Sequence, residues 1–491
     1  MPTHLDVRRG VYLDSVTLMQ VSRDVAAGDG IRSALVAMAT ELNLDLLADL
    51  GFAAPPDVGP SDLLVAVDAA GDDALDRALA VVESALTARA PTQAGGPGGF
   101  GEVPAPRTVA SALRQFDAPL ALVSTPGRYA FLDAMDALEA GRSVMLFSDN
   151  VPVEHEVALK EEAGRRGLLV MGPDCGTAVV SGVGLGFANV VRPGPVGIVA
   201  ASGTGAQQLM SLLDAAGVGI SHCLGVGSRD LKSDVGGRST LAALDLLAGD
   251  ATTEMIVVLS KPPDAEVADA VRARADAIGT PVLFGLQGAG QPDLTATAEA
   301  VAAEAGGHWQ PPSSWPAPEP RTGDYRFVRG LFSGGTLAEE ARLIAAAALD
   351  EPVGAEPGEA GHVMVDLGDD RFTQGRPHPM IDGSLRTERL LDEAADPDCG
   401  VVLLDVVLGH GAHPDPAAEL GPAIGTARKR AADRADEHHR DLAVVIALVG
   451  TAGDPQGLER QATALQNAGA SVHLSNAAAA REAVRLVEGT R

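Results

Sequence analysis

Four stretches carry residues whose types and spacing suit chemistry on anions. In the first, a β-rich run from Val196 to Ala201 breaks at Ser202-Gly203-Thr204-Gly205 and continues with helical spacing through Leu209, Leu212 and Leu213. A strand feeding a small-residue turn and then a helix aims several backbone N–H groups at one point. The helix end adds partial positive charge there. Ser202 and Thr204 supply hydroxyls, and the glycines let a phosphate or carboxylate approach the backbone. The same residues equally suit an ordinary turn capped by Ser or Thr. The second stretch, Arg229-Asp230-Leu231-Lys232, leaves the strand-like run Ile220–Val226. The third, Gly409-His410-Gly411-Ala412-His413-Pro414-Asp415, follows Gly400–Val407. The fourth, Gly375-Arg376-Pro377-His378-Pro379-Met380-Ile381-Asp382, lies further beyond Val363–Leu367. Arg376 suits bidentate pairing with a carboxylate or phosphate. His378, His410 and His413 suit proton transfer or charge stabilisation.

Each of these residues also has a packing role open to it. A metal reading of His410 and His413 would recruit Asp405 and Asp415, but His-x-x-His on a loop lacks the helical spacing of zinc hydrolases. No metal is expected. Asp382 suits a turn cap as well as a base. Cys175 follows a strand near a helix start, where a thiol pKa can fall, and also suits a buried structural thiol. Cys175, Cys223 and Cys399 are too scattered for a disulfide framework or a Cys-based zinc site. No Gly-Lys pair exists, which excludes a Walker loop, and no G-x-S-x-G elbow is present.

The elements that position these stretches follow from the apolar pattern. At 491 residues the chain exceeds one core, and about three or four domains are expected. Its 46% hydrophobic and 21% charged content is that of a globular protein. No apolar run is long enough to span a bilayer, and the first residues are charged, so a cytoplasmic protein without a membrane partner is expected. The net charge of −29 and 3% aromatic content speak against a nucleic-acid partner.

Residues 1–90 read as a small α/β unit of ferredoxin-like type. Its strands are expected at Val11–Leu13, Ile31–Val36 and Leu63–Val67, and its helices at Ser15–Ala26, Glu41–Leu50 and Ala74–Ala88. Residues 91–107 read as a Pro/Gly linker; its Gly96–Gly101 run matches G-x-G-x-x-G but follows no strand, so it is no dinucleotide site. Strand–helix alternation then predicts a Rossmann-like domain over 108–190, with loops at Thr125-Pro126-Gly127, Ser148-Asp149-Asn150-Val151-Pro152 and Gly172-Pro173-Asp174-Cys175-Gly176. Two doubly wound, flavodoxin-like domains are expected over 191–305 and 326–491, joined by a proline-rich linker over 306–325.

These motifs carry a resemblance. Residues 108–305 resemble the α-subunit of succinyl-CoA synthetase and its NDP-forming acyl-CoA ligase relatives, through Ser148–Pro152, Gly172–Gly176, Pro195–Gly205 and Gly225–Asp230. Residues 326–491 resemble the ligase domain of the β-subunit. The full arrangement, with Asp14-Ser15-Val16 and Gly375–Asp382, is similar to the FdrA family. In the synthetases two helix N-termini, one per ligase domain, face each other and bind phosphate. The resemblance places these after Ser202–Gly205 and after Gly409–His413. The synthetase's phosphorylated histidine would fall within Gly285-Leu286-Gln287-Gly288-Ala289-Gly290, where no histidine stands. The synthetase's N-terminal CoA loop has no counterpart, and no segment is long enough for an ATP-grasp domain.

FdrA proteins are associated with purine and allantoin breakdown, as a subunit of an oxamate carbamoyltransferase. The resemblance thus implies transfer of a carbamoyl or acyl group to phosphate, with small anionic substrates, phosphate or carbamoyl phosphate among them. It also implies other protein subunits or self-association. In that reading Ser202, Gly203, Thr204 and Gly205 hold phosphate with Gly409 and Gly411. Arg376 clamps the substrate carboxylate, and His378 or His410 handles the proton. Thr125, Pro126, Gly127, Asp149, Asn150, Gly172, Pro173, Asp174, Cys175 and Arg229 would bind substrate or coenzyme A. The alternatives are a CoA-dependent acid–thiol ligase component and a non-catalytic scaffold or regulatory subunit.

Overall fold

The computed structural model describes residues 2–9, 11, 15–55, 58–60, 62–89, 106–318, 326–373, 377–433 and 442–488. They form two units, one built from residues up to 115 together with Pro377 and one from the remaining residues. The first contains β1 (Thr3–Arg8), α1 (Ser15–Ala26), β2 (Ile31–Met38), α2 (Glu41–Asp49), β3 (Leu63–Ala69), α3 (Asp72–Arg89) and α4 (Val109–Leu113). Its sheet runs β1-β3-β2 with both pairings antiparallel, a split βαβ of the ferredoxin-like kind. The run Leu-Leu-Val-Ala-Val in β3 is continuously apolar because both faces are covered. Leu63, Val65 and Val67 pack with Leu18 and Val21 of α1 and Val82 of α3, while Leu64 and Ala66 pack with Leu47 of α2. Of the strand expected at Val11–Leu13, Val11 is outside any strand, and Tyr12 and Leu13 lie outside the described residues. The first strand is Thr3–Arg8, where only Leu5 and Val7 are apolar and both pack beside Leu47. The stretch read as a first linker lies almost wholly outside the described residues.

The second unit opens with β4 (Leu120–Val123), α5 (Gly127–Glu139), β5 (Ser143–Leu146), α6 (Val153–Arg166) and β6 (Val170–Met171), which give a parallel sheet in the order β4-β5-β6. A hairpin follows, β7 (Thr177–Val180) and β8 (Val183–Gly186), turning on Ser181 and Gly182, both at positive φ. Next come β9 (Pro193–Ala201), α7 (Gly203–Ala215), β10 (Ile220–Gly225), α8 (Arg238–Ala248), β11 (Met255–Ser260), α9 (Ala265–Ala277), β12 (Val282–Leu286) and α10 (Leu294–Glu304). The hairpin joins these strands in a six-stranded sheet ordered β12-β11-β9-β10-β7-β8.

A third sheet contains β13 (Ser314–Trp315), β14 (Phe327–Phe332), β15 (Val353–Gly354), β16 (His362–Asp366), β17 (Cys399–Val407), β18 (Ala443–Val449) and β19 (Ser471–His473). Its helices are α11 (Gly335–Leu349), α12 (Asp370–Thr373), α13 (Ser384–Glu393), α14 (Pro416–Asp433), α15 (Leu458–Asn467) and α16 (Asn476–Glu488). The strand order is β13-β19-β18-β17-β14-β16-β15. Trp315, in the proline-rich stretch, pairs with Val472 and packs on this sheet's core.

The second and third sheets repeat one topology. The orders β10-β9-β11-β12 and β16-β14-β17-β18 both place the second strand, the first, the third and the fourth side by side, as in flavodoxin-like folds. The repeat reaches single side chains. Gln208 and Glu340 each stand six residues after a helix N-cap, Ser202 and Gly334 respectively. Gln208 Oε1 accepts from the N–H of Asn476 (3.0 Å), capping α16, and Glu340 Oε1 accepts from the N–H of Leu294 (2.6 Å), capping α10. Asn476 Nδ2 also donates to Glu340 Oε2 at 2.7 Å. The two halves therefore satisfy each other's orphan helix-end donors.

Candidate functional site

The first strand of each repeat ends in a small-residue turn that opens a helix. After β9, Ser202 has extended backbone (φ −165°), and its Oγ accepts from the N–H of Gly205 at 3.0 Å. The same hydroxyl donates to Thr336 Oγ1 at 2.6 Å. Thr336 belongs to Ser333-Gly334-Gly335-Thr336, the turn between β14 and α11. The two helix N-termini are thus in direct contact, and small residues permit it. A Cβ on Gly205 would lie 2.4 Å from Ser202 Oγ, and one on Gly334 would lie 2.6 Å from Thr204 Oγ1. The sequence reading paired Ser202–Gly205 with Gly409–Gly411 instead. In the structure Gly409 rests on Ala188 and Asn189, and Gly411 on Gly186 and Phe187. The Gly409 N–H donates to Gln456 Oε1. The partner of Ser202 comes from α11 because α11, like α7, follows the first strand of its repeat.

The two turns differ in what fills them. Asp405 of β17, fully buried, accepts from the Ser333 N–H (2.8 Å), the Ser333 hydroxyl (2.9 Å) and the Gly334 N–H (2.9 Å). Arg386 of α13 pairs with Asp405 at 3.0 Å. Asp405 is therefore spent on the backbone rather than available as a metal ligand. In α7 the first amides, Gly203 and Thr204, have no carbonyl one turn behind them.

Three residues at strand ends crowd the first turn of α11. Lys261, just past β11, has its Nζ 3.9 Å from Asp366 Oδ2. A Cβ on Gly335 would lie 2.5 Å from that Nζ and 2.1 Å from the Asp366 carboxyl oxygen. Burial pushes the Asp366 carboxyl up to about 6 against the opposing pull of Lys261. Gln287, past β12, is 5% exposed, and its Nε2 reaches the Thr336 carbonyl at 3.4 Å. Lys261 and Ser202 follow β11 and β9, the neighbouring strands at which the chain switches direction across the sheet. Open α/β sheets bind ligands in that crevice. A cavity of about 30 Å³ adjoins it, lined by Asp174, Cys175 and Thr177 together with Ser202, Gly203 and Ser228.

The loops of the first parallel sheet border this cavity. Gly127 packs so closely on Asp149 and Asn150 that a Cβ would sit 2.2 Å from the Asp149 carbonyl oxygen. Thr125 Oγ1 donates to Asp133, and the Thr125 carbonyl accepts from the Ser148 hydroxyl. The Asp174 N–H donates to the Ser148 carbonyl, and the Cys175 N–H to the Leu146 carbonyl. The Gly172–Pro173 peptide is cis, and a Cβ on Gly227 would meet the Pro173 carbonyl oxygen at 2.6 Å. The Asp174 carboxyl lies within electrostatic reach of Asp370, Asp149 and Lys261. Cys175 is buried, and burial pushes its thiol far above the ordinary range, which suits a structural thiol and not a nucleophile. Arg229 Nε donates to Glu156 Oε2 at 3.0 Å and Nη2 to the Val151 carbonyl. Beneath it, buried Lys160 binds Glu156 and Asp230, each at 2.7 Å, and the Val226 carbonyl. This paired network ties α6 to the loop after β10 and fixes Ser228 and Arg229.

The histidines separate. His378 reaches the site: its ring lies tilted against Phe187 with the centroids 5.8 Å apart, and a Cβ on Gly368 would lie 2.7 Å from Nε2 and 3.2 Å from Asp366 Oδ1. Its Nδ1 accepts from the Met380 N–H. Burial, with Arg386 adding to it, lowers its pKa to about 4, so at neutral pH it is a neutral ring with a proton on Nε2. It is thus a hydrogen-bond donor, and not a base at that nitrogen. His410 is exposed and exchanges backbone hydrogen bonds with Ala188. His413 Nδ1 accepts from the Asp415 N–H, and Asp415 pairs with Arg460. Asp382 accepts from the Ser384 N–H, a turn cap. Arg376 lies outside the described residues.

Sequence reasoning missed Lys261, Asp366, Gln287 and Ser333–Thr336. The signals were present: Lys261 is one of four lysines and follows a strand, and Ser333–Thr336 repeats the strand–turn–helix pattern of Ser202–Gly205.

Comparison with known proteins gives two family matches along the chain. Residues 1–100 match the model "AllF, heavy metal-associated domain", and residues 331–486 match "CoA-ligase". Residues 1–100 hold no cysteine and His4 as the single histidine, so their donor set does not fit a heavy metal. YahF of Escherichia coli, an uncharacterized protein, is 36% identical over 96% of this chain and 95% of its own length. The succinate–CoA ligase [ADP-forming] subunit alpha 2 of Archaeoglobus fulgidus is 28% identical over 32% of this chain, spanning 55% of that subunit. The dinucleotide forming acetyl-coenzyme A synthetase 1 of Ca. Korarchaeum cryptofilum, solved with phosphate and ADP, aligns over 78% of this chain and 87% of its own at 14% identity and a TM-score of 0.27. Among the described residues no helix is long and apolar enough to cross a membrane. With a full-length relative in YahF and a CoA-ligase domain over its last third, the chain belongs to the FdrA-like family of the succinyl-CoA synthetase superfamily.

Proposed function

We propose that the chain holds phosphate between the N-termini of α7 and α11 and takes part in moving a carbamoyl group onto it, as one subunit of a larger transferase. The observation that carries this reading is the 2.6 Å hydrogen bond from Ser202 to Thr336, which fixes two helix ends together with Lys261 beside them. Helix ends and a cation are what an oxyanion requires. No histidine stands at 285–290 to carry a phosphoryl group, which favours direct attack by phosphate over a phosphoenzyme.

In oxalurate phosphorolysis a phosphate oxygen attacks the carbamoyl carbon. The C–N bond to the oxamate fragment breaks, and the leaving nitrogen takes one proton. The products are carbamoyl phosphate and oxamate. The amides of Gly203 and Thr204 and the Lys261 ammonium face the negative charge of the attacking phosphate. His378, through Nε2–H, serves as a donor. Asp366, whose carboxyl burial raises to about 6, is the group beside Lys261 that can exchange a proton near neutral pH. Arg376 is assigned the substrate carboxylate. Cytoplasmic location and partner subunits belong to the same proposal.

The test is thermal stability of the full chain with phosphate, carbamoyl phosphate, CoA and ATP in turn. A ligand at 100 times its Kd stabilises the folded state by about 2.7 kcal/mol. Stabilisation by phosphate or carbamoyl phosphate, lost in Ser202→Ala/Thr204→Ala, is expected. Stabilisation by CoA alone would favour a CoA ligase component, the reading that the CoA-ligase match at residues 331–486 suggests. Tolerance of every ligand with no shift would favour a scaffold.

A further inference from the structure

Gln287 occupies an unusual position. Its backbone N–H donates to the Ser260 carbonyl at 2.9 Å, which holds it at the end of β12 beside the residue preceding Lys261. Its amide nitrogen faces the Thr336 carbonyl, which can only accept, so the amide orientation is fixed and Oε1 is at the other end. That oxygen is fully buried and has no hydrogen-bond partner among the described residues. Buried amide oxygens are ordinarily paired, and one left over marks a place where a donor is missing.

The surrounding groups bear on which donor fits. Lys261 adjoins Gly335 of the same helix turn, and the Ser202 and Thr336 hydroxyls already bond each other. A phosphate dianion offers these groups charge but at most one proton, whereas a carbamoyl group offers an –NH2 with two. We propose that Gln287 is the residue that selects a carbamoyl group, its Oε1 accepting a hydrogen bond from the –NH2 of carbamoyl phosphate while the helix ends and Lys261 hold the phosphate. This rests on the phosphate and carbamoyl reading above and adds to it the residue that sets the acyl specificity. A methyl group in place of –NH2, as in acetyl phosphate, leaves Oε1 unpaired and is discriminated against. A site built to bond a substrate N–H penalises the analogue that lacks it.

The experiment measures affinity of the full chain for inorganic phosphate, carbamoyl phosphate and acetyl phosphate by titration calorimetry, in wild type and in Gln287→Met. Met nearly matches Gln in size and removes the acceptor. Wild type is expected to prefer carbamoyl over acetyl phosphate by at least about tenfold. Gln287→Met is expected to bring that ratio close to one and leave phosphate affinity unchanged, which also shows that the variant folds. If wild type binds no phosphate, the phosphate reading fails and this inference fails with it. If phosphate binds but wild type does not distinguish the two acyl phosphates, the role of Gln287 is overturned while the phosphate site stands. A Gln287→Met variant that loses phosphate affinity and keeps the ratio overturns it as well. Should that variant fail to fold, the wild-type ratio alone decides.

Discussion

The turn after β9 and the turn after β14 occupy the same place in two copies of one topology, and they are finished differently. In Ser333–Thr336 a carboxyl of the protein, Asp405, takes three donors and is itself held by Arg386. In Ser202–Gly205 the Ser202 hydroxyl takes one donor, Gly205, and the amides of Gly203 and Thr204 remain at the helix end. Asp405 thus braces the backbone only up to the N-cap Gly334, and the first helical amides of α11, Gly335 and Thr336, stay at the helix end as Gly203 and Thr204 do in α7. Duplication supplies two helix ends pointing at each other. The difference between them, one turn braced by a buried carboxylate and the other by its own serine hydroxyl, comes from a single residue of β17.

The largest effect expected from breaking this contrast is at Asp405. Asp405→Ala strips the turn of three hydrogen bonds and leaves Arg386 buried without its counter-charge, so urea unfolding should show a loss of about 3–5 kcal/mol. Ser202→Ala, in the turn after β9, removes a cap and the bond to Thr336 and should cost about 1–2 kcal/mol. Equal costs would mean that the two turns are not differently built. The smallest effect is at Glu340, the counterpart of Gln208. Burial raises the Glu340 carboxyl to about 7 from the ordinary 4.5. The folded state therefore holds its proton more tightly than the unfolded one, and stability is lost as pH rises from about 4.5 through 7. Glu340→Gln removes that titration, so relative to wild type the variant should gain on the order of 1 kcal/mol between pH 4.5 and pH 8, on top of a pH-independent loss from the –NH2 that replaces one of two accepting oxygens. A gain that does not depend on pH would place the effect elsewhere.

Much of the fold was legible because β-branched apolar runs mark the central strands of parallel sheets, which are buried on both faces. Val196–Ala201, Met255–Leu259 and Ala443–Val449 stand out for that reason. Thr3–Arg8 did not, since an antiparallel edge strand needs only Leu5 and Val7 on its covered side. The hairpin of β7 and β8 was missed because its turn, Ser181-Gly182, needs positive φ at both residues and sits in a Gly-rich stretch that reads as loop. At the site, Ser202–Gly205 was picked out by physical signature. Its partner was misplaced because Gly409–Asp415 carries conspicuous histidines while Ser333–Thr336 carries none. Lys261 and Gln287 acquire meaning from the strand order, which brings the ends of β11 and β12 beside α11. Periodicity gives the strands and not their neighbours.

The central claim is that one phosphate is held by both halves at once. Titration calorimetry of inorganic phosphate into wild type, Ser202→Ala, Lys261→Met and Thr336→Val tests it directly. The account predicts one phosphate per chain, with affinity reduced at least about tenfold by each substitution, since charge-assisted hydrogen bonds contribute about 1.5–3 kcal/mol. Phosphate binding that survives Thr336→Val unchanged, or two independent sites per chain, would contradict it.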